Sequence, residues 1–337
     1  MKNINFLFLI GISLSLIAPH ATGSDEMSER DMIKVKVIDL ADAENFEQLE
    51  VLAETYRTSQ TRTPSGVWAL TLFYLGLGET FLINVRDDRY WTRREQFARK
   101  WVTAYPQSPT ARLAYARYLL NRGWSNRGRG NATTVKPEDW KPFNDYVQKA
   151  RRYLESNKAI SSKDPVWYTM MEVIAYIQGW PEDEFAPLLD EALKYHPGYY
   201  QIYFEAINYY APKWGGDAAS IERFARWATE HSKATDGYGM YARIYWSASQ
   251  YQYKDRLFID SRVDWATMKR GIDDVLKVYP DQWNINNFAK FSCLAGDKAK
   301  TAELIKRIER LHPPEVWGDD LKLHESCRRW ALSSATK

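Results

Sequence analysis

Cysteine is almost absent from this 337-residue chain, which carries Cys293 and Cys327 and no others. That excludes a disulfide-rich scaffold and a Cys-based zinc module. In an exported protein the two can pair, closing a loop of 34 residues; in a reducing compartment they are two buried thiols. Histidine is scarce, five in all, and scattered. His196 and His312 stand before Pro197 and Pro313, where Tyr serves at the equivalent places, so packing is their expected role. The catalytic signatures are missing too: no HExxH, no GxSxG, no phosphate-binding Gly-Lys loop, and no GxGxxG opening a helix. No catalytic residue, metal site or cofactor is expected. Net charge is small, +3 for the full chain, with both signs mixed, so no global field draws nucleic acid.

One apolar run exists. Lys2 precedes Phe6 to Ala18, and Ala21-Thr22-Gly23 then places small residues at −3 and −1, the layout of a secretory signal ending at residue 23. The run is short for a bilayer span, and no Cys follows it to carry a lipid. The expectation is a periplasmic or secreted protein with no stable membrane insertion. Residues 24–44 read as an extended polar lead-in containing a short alternating stretch, Ile33 to Ile38. Residues 45–337 read as a single domain.

What the chain does have is a recurring stop. Trp101 to Pro106, Ala192 to Pro197, Val275 to Pro280 and Ile308 to Pro313 each end in Tyr-Pro or His-Pro. Apolar pairs three residues apart precede them: Ala98 and Trp101, Leu189 and Ala192, Ile272 and Val275, Ile305 and Ile308. Residues so spaced share a helix face, and Pro cannot continue the helix. The last two stops lie 33 residues apart, a period of stacked helical hairpins. The predicted fold is all-α: a tetratricopeptide-like helical-hairpin array, an α-solenoid.

Two stretches break the pattern. Arg122 to Pro137 holds three Gly and no apolar face, and predicts a long loop. In it Trp124 offers a stacking surface, and Arg127 and Arg129 offer planar cations for carboxylate, phosphate or aromatic faces. The alternative is structural: Arg residues paired with neighbouring acids, and Trp124 plugging a hairpin. The second is Pro-Lys-Trp-Gly-Gly-Asp at 212–217, with Trp214 as the turn's anchor and Asp217 as the cap of the next helix. The binding candidates are therefore Trp124, Arg127, Arg129, Trp214 and Asp217. Aromatics make up 15% of the chain, with 14 Trp and 22 Tyr. They serve either as inter-helix packing or as a groove for peptide or glycan.

The segments GWSNRGRGNATTV, Trp140 with Phe143, Asp164-Pro165 with Trp167-Tyr168, GWPEDEF and YHPGYYQIYFEAINYYAPKWGGD occur in this order. Together they resemble the bacterial domain-of-unknown-function family 4034, over roughly residues 101–246. The resemblance implies a helical-repeat fold similar to tetratricopeptide repeats; it implies no activity and no catalytic residues. The expected function is an exported scaffold that binds a peptide, protein or envelope component without catalysis. The alternative is a periplasmic enzyme acting on an anionic or sugar-like envelope molecule through the Arg-Gly-rich loop.

Overall fold

The computed structural model describes residues 25–128, 130, 132–312 and 315–333. The signal expected at 1–23, with its cleavage point, and Arg129 and Pro313 lie outside the described residues. Within them the protein is all-α, with no strand beyond one isolated bridge between Arg62 and Trp68.

The chain runs α1 (Glu26–Asp42), α2 (Phe46–Ser59), α3 (Ala69–Glu79), α4 (Asp88–Ala104), α5 (Pro109–Arg127), α6 (Pro137–Ser156), the single turn α7 (Lys158–Ser161), α8 (Val166–Gln178), α9 (Glu182–Tyr195) and α10 (Gln201–Tyr210). It continues through α11 (Ala218–Asp236), α12 (Gly239–Ala248), the single turn α13 (Leu257–Asp260), α14 (Trp265–Val278), α15 (Gln282–Leu294), α16 (Lys298–Ile305) and α17 (Lys322–Leu332). Side-chain caps start many of them: Asn45, Asp87, Ser108, Asp217, Asp264, Asp281 and Asp297 each accept a backbone N–H of the first turn. The Pro stops share one geometry. Tyr105, His196 and Tyr279 leave the helix at φ −127°, −133° and −127°, because a following Pro disfavours the α region.

Consecutive helices pack on one another, and α8, α10 and α12 also pack in series. Their apolar faces merge into one core running from Val37 to Cys327. Trp91, Trp101, Tyr168, Tyr199, Tyr203 and Tyr245 are among its largest fully buried side chains. Aromatics thus fill much of the space between helices. Cys293 on α15 and Cys327 on α17 form a disulfide with Cα atoms 5.8 Å apart. Closing that loop contributes about 3–4 kcal/mol in the chain-entropy model.

Three expectations need correction. The extended lead-in at 24–44 is the helix α1, packed on α3. Its alternating apolar residues are only in part core contacts: Val37 and Ala41, four apart, are buried, and Val35 is exposed. The loop expected from Arg122 begins at Gly128, since α5 continues to Arg127. Gly123 is helical there because the α6 residue Tyr146 lies 3.1 Å from where its Cβ would stand, so the small residue serves close helix packing. The last Pro-stopped helix ends early, at Ile305 rather than near Arg310.

The segment 60–68 ties distant parts together. Arg62 donates to Gly198 O at 2.8 Å, while Ser65 O accepts from Arg243 at 3.3 Å and from Asn284 at 3.2 Å. Glu26, on α1, holds the same segment from the other side through Thr63 and Ser65.

Candidate functional site

The sequence-predicted residues fall into two groups. Trp124 is half-buried, 5.0 Å from the Phe143 ring. It lines a cleft of about 820 Å³ together with Arg117, Asn121 and, from the second special loop, Lys213. Trp124, on α5, and Lys213, of the 212–217 turn, therefore line one cleft. Arg127 does not reach that cleft. It is buried against the rings of Trp124, Trp140 and Phe143, and donates to the carbonyls of Gly128 and Gly130 at 3.0 and 3.1 Å. Burial lowers its pKa. Arg127 thus closes its own turn.

The 212–217 turn is built from local constraints. Gly215 sits at φ +99°, a conformation open chiefly to Gly. At Gly216 a Cβ would come within 2.0 Å of Tyr210 O. Asp217 caps α11 through Ser220 N at 2.6 Å. Trp214 is half-buried, its ring 4.6 Å from Tyr176. Trp214→Ala is therefore expected to cost about 1.5–2.5 kcal/mol, half the range for a fully buried large aromatic. A urea titration checks it: a loss above about 4 kcal/mol means that the indole carries the turn's core contact.

A second site was missed from sequence. A cavity of about 520 Å³ lies between α10, α12, α15 and the 60–68 segment. Gln201, Phe204, Glu205 and Asn208 face it from α10, and Arg243, Trp246, Ser247 and Gln250 from α12 and the turn after it. Both sets sit at i, i+3, i+4, i+7, one face of a helix. Arg117, Asn121 and Trp124 on α5 repeat the spacing i, i+4, i+7 in the first cleft. These polar and aromatic faces looked like solvated surface; their recurrence on helix after helix was the available signal. A π-helical turn, Ser249–Tyr253, follows α12 and presents Gln250 and Tyr251 at the cavity, Tyr251 being 81% exposed. Such turns interrupt helices frequently at functional sites.

Between cleft and cavity lies a buried polar cluster. Glu205 accepts from Tyr176 OH at 3.1 Å and from Asn208 Nδ2 at 3.1 Å, and senses the Arg117 charge. Glu172, one turn before Tyr176, is fully buried, and neither carboxyl oxygen has a hydrogen-bond partner among the described residues. Burial, and then the nearby Glu205, push its pKa well above the ordinary value; burial raises Glu205 as well. Burial lowers Arg117 and raises Tyr176.

Glu172 should weaken the fold at neutral pH. Its folded pKa is raised, so the folded state holds a proton that the unfolded chain releases above about pH 4.5, and stability falls as pH rises through that range. Glu172→Met, similar in shape and apolar, is expected to gain about 1–3 kcal/mol at pH 7. The gain should shrink below about pH 4.5. Thermal melts across pH check this; a destabilised variant means that the carboxyl has a partner in the folded protein.

Among the described residues no group of three or more His, Cys, Asp and Glu converges to hold a metal ion, and no helix is long and apolar enough to cross a membrane. Comparison with protein-family models, with curated proteins and with solved structures finds no match to this chain.

Proposed function

We propose that this protein is an exported helical-repeat binding protein of tetratricopeptide-like, solenoid architecture, which takes an extended peptide or protein segment along its inner face. The observation that carries the reading is the cavity of about 520 Å³ walled by Phe204, Trp246 and Trp283 and fringed by Gln201, Asn208 and Asn287. Aromatic walls with a few amides, which both donate and accept hydrogen bonds, suit a backbone with side chains rather than a nucleic acid. The series packing of α8, α10 and α12 supports the array. Export rests on the signal layout of residues 1–23, and N-terminal sequencing from the periplasm should begin at Ser24. The resemblance to family 4034 is consistent with such an array and stands as part of the same proposal.

The test is position-resolved. A photo-crosslinking amino acid at Gln250, on the cavity, should give discrete envelope adducts. One at Val51, exposed on α2, should not. Equal labelling at both positions, or none at Gln250, removes the inner-face reading.

One observation favours a second reading, an enzyme acting on an anionic or sugar-like molecule. Glu172 is held toward its protonated form beside Glu205, which reaches the cavity, and carboxyl pairs whose environments shift their pKa values are the usual acid and base candidates. Turnover of an envelope glycan, lost in Glu205→Gln with the fold intact, would favour it over binding alone.

A further inference from the structure

We propose that the cavity between α10, α12 and α15 is a carboxylate site that takes the C-terminal end of a peptide, with Arg243 as its anchor. The proposal rests on the binding reading above and names the ligand chemistry of that same site.

Arg243 is only 5% exposed, yet its guanidinium makes one hydrogen bond among the described residues, to Ser65 O at 3.3 Å. No carboxylate among the described residues forms an ion pair with it. Asp236 lies in a second cavity, of about 400 Å³, that Arg243 also lines, and is engaged by Tyr200 OH and Thr235. The rings of Tyr200 and Tyr279 hold the guanidinium at 5.1 and 5.4 Å, which offsets part of its desolvation and fixes its plane. A buried charge without its counter-ion is costly for folding. A ligand carboxylate supplies the missing partner in the bidentate geometry that a guanidinium favours.

The rest of the cavity argues for a peptide end over a bare anion. Arg30, the other cation there, is already taken by Glu26 at 2.5 Å, and Glu205 and Glu315 also line the cavity, so a singly charged carboxylate is favoured over a multiply charged anion. Asn208 and Gln201 offer donors and acceptors for the last peptide groups. Trp246 and Trp283 flank the space for a terminal side chain, and the Trp283 indole N–H has no partner among the described residues. A phosphate would leave these aromatic walls unused.

The experiment uses the mature chain and a panel of N-acetylated tripeptides, varied at the last residue, each as free acid and as C-terminal amide. Affinity is followed by calorimetry and by tryptophan fluorescence. The free acid should bind about tenfold or more tightly than the amide, on the order of one charge-assisted hydrogen bond. Arg243→Gln should abolish the preference, the free acid losing about tenfold or more in affinity relative to the amide. Because this buried variant can fail to fold, Arg243→Lys is measured beside it; it should keep the fold and lose most of the preference, lacking the planar fork. Asn208→Ala should weaken both forms alike. Free acid and amide binding equally overturns the carboxylate site and leaves the groove reading standing. Neither form binding, with crosslinks still forming at Gln250, does the same. Neither binding and no crosslinks forming sinks both. Inorganic phosphate displacing the peptide more strongly than acetate does overturns the carboxylate assignment.

Discussion

Asp164→Ala is expected to cost about 3–5 kcal/mol, the range for breaking a buried ion pair from one side, and to lower the melting temperature by about 10 °C. Asp164 is fully buried. Its carboxylate accepts from Arg57 Nε at 2.9 Å, from Tyr74 OH at 2.7 Å and from Val166 N at 2.9 Å. Arg57 in turn donates to Thr110 at 2.6 Å. One side chain therefore ties α2, α3 and α5 to the start of α8. Truncating it strands the Arg57 charge and the Tyr74 hydroxyl in the core, and that desolvated remainder is the larger part of the cost. The double variant Asp164→Leu with Arg57→Met removes both charges and should lose much less than the single one. Urea unfolding of wild type, Asp164→Leu, Arg57→Met and the double variant measures the coupling. A single-variant loss below about 1 kcal/mol would mean that water reaches the pair and the junction is not held by it.

The same residue marks what the sequence makes legible. Asp164 before Pro165 is readable as a helix start, because capping is local and its donors are two or three residues away. Its pairing with Arg57, 107 residues earlier, has no local trace. The Pro stops were readable for the same reason: a ring clash acts on the preceding residue whatever the tertiary setting. The loop's start was misplaced because Gly123, Gly128 and Gly130 resemble an irregular connection, whereas α5 continues to Arg127 and Trp140 and Phe143 arrive from α6 to cover it. Lead-in segment α1 was misjudged because alternation over six residues fits a strand better than a helix. Only its docking on α3 decides the matter. The cavity escaped notice because its lining is polar and aromatic, and such residues on helix faces usually face solvent. Concavity is a property of how helices stack, and no single helix states it.

Glu26→Ala is expected to cost about 3–5 kcal/mol at pH 7, and the loss should be pH-dependent in a stated direction. Glu26 is 1% exposed and accepts from Arg30 at 2.5 Å, Thr63 OH at 2.9 Å, Ser65 N at 2.9 Å and Ser65 OH at 2.6 Å. Burial raises its pKa, but the Arg30 charge and the Ser65 hydrogen bonds outweigh burial and leave it lowered. A lowered folded pKa means stability that is present above the unfolded value of about 4.5 and lost as pH falls through the folded value. Wild type and variant should therefore differ most near neutrality and converge in acid, as for Glu172→Met but with the opposite sign: here the variant is the less stable protein. The consequence reaches the cavity. Without the carboxylate, Ser65 N loses its partner and the 60–68 segment keeps only the Arg30 bond to Ser65 Oγ, at 3.1 Å, on the α1 side, while Arg243 and Asn284 still grip Ser65 O. Trp283, under the Arg30 guanidinium at 5.2 Å, should report the change as altered fluorescence before global unfolding. Glu26→Gln, which keeps the shape and loses the charge, should fall between the two proteins. Equal stability losses at pH 4 and pH 7 would show that Glu26 acts through packing and not through its charge.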